Sequence, residues 1–171
     1  DGVASVRVRY QVVLPGDYIP GYLAHPHSVL LSDPNRPFER NPEYDDPSSW
    51  TEVSMRDDGL GGDEVREDGT FTALIPGQAN RTLLRYRIVA SDQRGDSVSV
   101  PLRDDGSLNF ACFVHDGVPS YRAETRTVQP SGTPYTYPRE LLESLPVYFL
   151  ITRNEDIMHC YAYDGAYQIS K

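Results

Sequence analysis

Every second residue from Val6 to Val12 is apolar: Val6, Val8, Tyr10 and Val12 alternate with Arg7, Arg9 and Gln11. Successive side chains of a strand point to opposite faces, so this reads as a half-buried strand, apolar inward and charged outward. The pattern returns along the chain. Thr51, Val53 and Met55 share one side of a second run, and Phe71, Ala73 and Ile75 mark a third. Leu84, Tyr86, Ile88 and Ala90 form a fourth around Arg85 and Arg87, Val98 and Val100 a fifth, and Phe110, Cys112 and Val114 a sixth. Turn pairs fall between them, among them Asp58-Gly59, Asp68-Gly69, Arg94-Gly95 and Asp105-Gly106. Short strands separated by such turns predict an all-β chain, with an antiparallel β-sandwich over residues 1–121.

Two stretches lack this period. Residues 16–49 are rich in Pro, Asp, Asn and Tyr and read as a long insertion at a sandwich edge, with one short strand expected around Ser28–Leu31. Residues 122–144 read as a linker that ends in a helical turn from Pro138 to Ser144. Residues 145–171 return to strand patterns. Val147–Ile151 is an apolar run, and Met158–Tyr163 with Ala166–Ile169 predicts a hairpin around Asp164-Gly165. Five consecutive apolar residues in water invite aggregation. The tail is therefore expected to be ordered, docked on residues 1–120 or exchanged between two copies.

Charge narrows the function. The chain carries 16 Lys and Arg against 25 Asp and Glu, a net charge of -9. Nucleic acid and anionic membrane surfaces both demand clustered positive charge, so neither is an expected partner. No window holds the roughly 20 apolar residues of a membrane span. No charged-then-apolar leader opens the chain, and the start at Asp1 reads as a mature or trimmed fragment. The only lysine is Lys171, so no internal Schiff-base or phosphate-loop lysine exists. Cys112 and Cys160 form neither a disulfide framework nor a zinc pattern. Cys112 lies on an apolar side, where a small buried thiol is expected; pairing with Cys160 in an oxidising compartment is the other reading.

The densest acidic stretch runs from Met55 to Phe71, with six carboxylates and four glycines. Calcium takes several oxygens from a loop able to fold around it, and glycine permits the tight turns that requires. Asp57, Asp58, Asp63 and Asp68 are the candidate ligands. Asp and Gly are equally the ordinary residues of turns, and the spacing is not that of the helical calcium loop. His25 and His27 make a His-x-His pair, but Pro26 stands between them and no third ligand is evident. No Gly-x-Ser-x-Gly elbow is present. Carboxylate pairs for sugar hydrolysis exist in so acidic a chain, yet hydrolysis also needs a cleft. Of twelve tyrosines, Tyr18, Tyr22, Tyr44, Tyr121, Tyr135, Tyr137, Tyr161, Tyr163 and Tyr167 lie outside the core pattern. An exposed row of them would stack on sugar rings or cover a partner; tyrosine is also an ordinary strand-edge residue. The single tryptophan, Trp50, opens a strand and is expected to be buried.

From Met55 to Pro101 the chain reads Asp57-Asp58-Gly59, Gly62-Asp63, Asp68-Gly69-Thr70-Phe71-Thr72-Ala73, Ile75-Pro76-Gly77-Gln78, then Leu84 through Asp92 and Gly95. This series resembles immunoglobulin- or fibronectin-III-like domains of large bacterial surface and secreted proteins. The resemblance implies an immunoglobulin-like β-sandwich and a secreted or cell-surface location. Leu145-Pro146-Val147-Tyr148-Phe149-Leu150 and Tyr161-Ala162-Tyr163-Asp164-Gly165-Ala166-Tyr167 are similar to the opening strands of the CotH family, spore-coat and secreted proteins with an atypical kinase-like domain. That likeness implies a CotH-like parent protein and, as partners, adjacent domains of the same polypeptide. It carries no catalytic residue onto any position here. The expectation is a non-catalytic extracellular module with a protein or glycan ligand. Its rivals are a carbohydrate-binding module and an enzyme in its own right, a CotH-like kinase fragment or a hydrolase.

Overall fold

The computed structural model describes residues 2–123, 135–152, 157 and 158. They are mostly strands in antiparallel sheets, with a few short helices. No helix among them is long and apolar enough to cross a membrane. The chain divides into two units, Asp1–His115 and Asp116–Lys171.

In the first unit the alternating runs become strands β1 (Val3–Val13), β2 (Thr51–Met55), β3 (Leu83–Asp92), β4 (Ser97–Val100) and β5 (Phe110–Phe113). They form one antiparallel sheet in the order β2-β1-β3-β4, with β5 also on β3. β1 runs along the whole of β3, from Val3 opposite Asp92 to Val13 opposite Leu83. The other edge of β3 is shared, with Ile88–Ser91 taking β4 and Leu83–Tyr86 taking β5. This register lines up Val53, Val8, Ile88 and Val100 in one row, and Tyr10, Tyr86 and Phe110 in the next. The apolar core gathers there, where Val6, Val8, Tyr10 and Leu84 are buried. Each such side chain, fully buried, stabilises by roughly 1.5–3 kcal/mol.

The opposite face departs from simple alternation. Val12, expected inside, is half-buried, while Gln11 and Val13 are buried. The cause is the segment between β1 and β2, which supplies a layer on this face instead of leaving it to solvent. It contains α1 (His27–Ser32), α2 (Pro42–Asp45) and a 3-10 turn (Pro47–Ser49). Tyr44 is 1% exposed, and Trp50 is buried as its position predicted. Gln11 Nε2 donates to Ser49 Oγ (3.0 Å), and Gln11 Oε1 accepts from Arg85 Nη1 (3.2 Å). Asn41 ties the segment down: its side chain donates to Pro20 O and accepts from Glu43 N, capping α2. Gly21 passes so near Leu108 that an added Cβ would stand 2.5 Å from its Cδ1.

Two local expectations fail. Residues 28–31 belong to helix α1 and not to a strand; Pro26 at φ -55 starts it, and Asp33 N closes it on Val29 O. Phe71–Ile75 meets the rest of the sheet only through an isolated bridge between Arg56 and Thr72. β2 ends at Met55, so a longer partner for that run is lacking.

In the second unit β6 (Tyr121–Arg122) pairs antiparallel with β7 (Thr136–Tyr137). Helix α3 (Arg139–Glu143) follows, with Pro138 at its N-cap and an Arg139–Glu143 ion pair one turn apart (2.8 Å). Val147–Ile151, expected as a strand, forms none, and Val147, Tyr148, Phe149, Leu150 and Ile151 are exposed. A strand is defined by its ladder with a neighbour, so apolar content alone does not make one. The hairpin expected at 158–169, and with it His159, Cys160, Tyr161, Tyr163 and Tyr167, lies outside the described residues, apart from Met158.

Candidate functional site

The acidic stretch forms a closed loop. Its ends meet where Arg56 N donates to Thr72 O (2.7 Å) and Thr72 N donates to Arg56 O (2.8 Å). Inside it, Asp57 accepts from Asp68 N (3.0 Å) on one carboxylate oxygen and from Gly69 N (3.1 Å) on the other. Asp63, 7% exposed, accepts from Gly59 N (2.6 Å). Asp68 accepts from Thr70 N (2.7 Å). The tight path needs positive φ at Gly62 (99°), where an added Cβ would also stand 3.0 Å from Leu74 Cδ2.

Three of the four expected ligands come together. One carboxylate oxygen from each of Asp57, Asp63 and Asp68 lies within 4.8 Å of the other two. Asp58 is elsewhere: it accepts from Leu60 N (3.0 Å) and pairs with Arg56 (3.5 Å). Three hard oxygens at this separation suit a hard cation, and the same three carboxylates already hold backbone N–H groups. The chemistry on offer is thus binding and loop closure.

The other expected sites are differently placed. His25 Nε2 donates to Pro37 O (3.0 Å), and its ring stacks on Phe38 at 4.9 Å. His27 begins α1. Cys112, expected to be buried, is exposed, because β5 is a short edge strand.

Sequence reasoning missed a cluster of arginines and aromatic rings on the second face of the sheet. The Tyr44 ring lies within cation–π reach of Arg40 (5.1 Å), Arg85 (5.4 Å) and Arg87 (5.3 Å), and Arg87 also stands 4.6 Å from Trp50. Tyr44 and Trp50 meet edge to face, and Trp50 Nε1 donates to Tyr44 O (2.8 Å). The Tyr44 hydroxyl donates to Asn109 Oδ1. Arg85 donates to Ile19 O (2.6 Å), Arg87 to Leu108 O (2.9 Å), and Arg40 grips Asp45 with two nitrogens. Burial works against the Arg40 charge, but Asp45 and then Tyr22 outweigh it and raise its pKa. The available signal was the pairing of Arg85 and Arg87 at period two with an aromatic-bearing insertion. Each arginine is engaged with loop backbone, carboxylate or ring, so the cluster fastens the insertion to the sheet.

A third grouping gathers Tyr121 on β6, Tyr137 on β7 and Tyr135 just before β7. No family model, no curated protein and no solved structure gives a significant match to the chain.

Proposed function

We propose that the chain is a non-catalytic recognition module of a larger secreted or cell-surface protein, built on an immunoglobulin-like β-sandwich. One observation carries the reading. The side chains that chemistry would recruit are committed to holding backbone: Asp57 and Asp63 to loop N–H groups, His25 to Pro37 O, and Arg85 and Arg87 to Ile19 O and Leu108 O. The likeness of Met55–Pro101 to immunoglobulin-like domains supports the sandwich and the location. The CotH-like tail supports adjacent domains of the same polypeptide as partners, in a bacterial protein. Within this reading Asp57, Asp63 and Asp68 are the residues that take a calcium ion; Asp58, turned to Leu60 and Arg56, is not one of them.

The test is a turnover screen of the full chain, with ATP and with chromogenic glycosides, beside Asp57→Asn and Asp63→Asn. The expected result is no turnover in any of them, together with a lowered melting temperature for both variants. Turnover that disappears in either variant would overturn the reading in favour of an enzyme.

A further inference from the structure

The two-stranded ribbon of the second unit presents one face made of tyrosine. Tyr121 and Tyr137 are cross-strand partners. Tyr135 lies two residues before Tyr137, which places it on the same side. Ala123, two residues after Tyr121, is buried and donates its N–H to Tyr135 O (2.9 Å), which extends the ladder beyond the Tyr121–Tyr137 pair. The Tyr121 and Tyr137 planes lie 23° apart with centroids 6.3 Å apart. Stacked in this way, the two rings brace one another. Tyr135 stands across Tyr137 at 79° and 4.8 Å, like a wall beside a floor. Tyr121 is 59% exposed and Tyr135 57% exposed, although each is braced by a neighbouring ring.

Braced tyrosines offer large contact area and hydroxyls at little entropic loss, since a ring already held has few rotamers left to lose. The face itself contains ring surface and phenol, and no charged side chain among the described residues. Arg139 of the same unit is spent on Glu143 (2.8 Å) and on Asp116 O (2.5 Å). The whole chain, at net -9, repels anions. A fitting ligand is therefore neutral, rich in hydroxyls, and presents flat C–H surface to stack on rings. We propose that Tyr121, Tyr135 and Tyr137 form a binding platform for a neutral polysaccharide chain. This rests on the recognition-module reading above and names its ligand.

The test is affinity electrophoresis of the full chain in gels containing soluble neutral polysaccharides (β-glucan, xylan, galactomannan), with pull-down on cellulose and chitin. Alginate and a proline-rich peptide serve as competitors of other chemistry. Retardation by at least one neutral polysaccharide is expected, unchanged by added salt. Tyr121→Ala and Tyr137→Ala should each weaken it about tenfold, the loss of roughly one aromatic contact. Should either alanine variant misfold by circular dichroism, Tyr137→Leu keeps apolar bulk without the ring and should weaken binding similarly. The proposal falls if no neutral polysaccharide binds, or if binding survives the Tyr121 and Tyr137 substitutions. It also falls if only alginate binds and salt abolishes that, or if only the proline-rich peptide binds. Absent binding without turnover overturns the glycan ligand alone; turnover in the screen above overturns the module reading itself.

Discussion

Residues 16–50 and residues 56–72 are both turn-rich connections without a sheet period, yet they reach opposite ends. The first becomes a layer of the core, with Tyr44 and Trp50 buried against the arginine-bearing face of the sheet. The second closes on itself. Its carboxylates accept from its own N–H groups, and its large apolar side chains Leu60 and Val65 stay exposed. The difference lies in what each can bury. An aromatic ring can cover a guanidinium and still gain from apolar contact, so Tyr44 turns a charged sheet face into an interior surface. A loop of carboxylates finds no such partner and must satisfy itself locally.

The sharpest way to break this contrast is Tyr44→Ala. Removing a fully buried aromatic side chain costs about 3–5 kcal/mol, and here it also frees three guanidiniums from their shared ring. Urea denaturation should show a loss of that size. A loss below about 1 kcal/mol would mean that the 16–50 layer adds no more than an ordinary surface site. A smaller effect concerns the second loop. Three carboxylates held within 4.8 Å repel one another when no cation lies between them. Calcium should therefore stabilise the fold over that in chelator, by about 2.7 kcal/mol at a hundredfold excess over Kd, and so raise the melting midpoint. Asp63→Asn should remove the response and Asp58→Asn should keep it; coincident midpoints in calcium and chelator would leave the loop closed by backbone N–H groups alone. The smallest effect is at Asp46, where the Ser48 N–H holds the carboxylate below its ordinary pKa. A lowered folded-state pKa gives stability that is complete above the unfolded value and lost as pH falls through the folded one. Asp46→Ala should flatten the acid side of the stability profile slightly; an unchanged acid side would show that this cap does not couple to folding.

Much of the first unit is legible locally. The alternating runs at Val6, Thr51, Leu84, Val98 and Phe110 all became strands, because period two needs only neighbours in sequence to be seen. The turn at Arg94-Gly95 formed between β3 and β4, with Asp92 accepting from Arg94 N and Asp96 N. The helical turn after Pro138 formed as α3. What misled was composition. Phe71–Ile75 and Val147–Ile151 have strand composition, but a strand also needs a ladder with an adjacent edge, and composition does not say whether one forms. The acidic site was legible as a set of residues and not as a geometry. Asp58 and Asp63 are chemically equivalent, and only the turn at Gly59–Gly62 sends one outward and buries the other.

By itself, the sequence determined the all-β character, the positions of the five strands of the first unit, the burial of Trp50 and the acidity that disfavours polyanionic partners. Each follows from local periodicity or from a sum over residues. Tertiary structure alone decided that Gln11 and Tyr44 are core residues, that Arg40, Arg85 and Arg87 converge on one ring, and that Tyr121 pairs with Tyr137. The physical reason is range. Alternation places a side chain on one of two faces, whereas the covering of a face depends on chain folding back from tens of residues away, and no local pattern encodes that return.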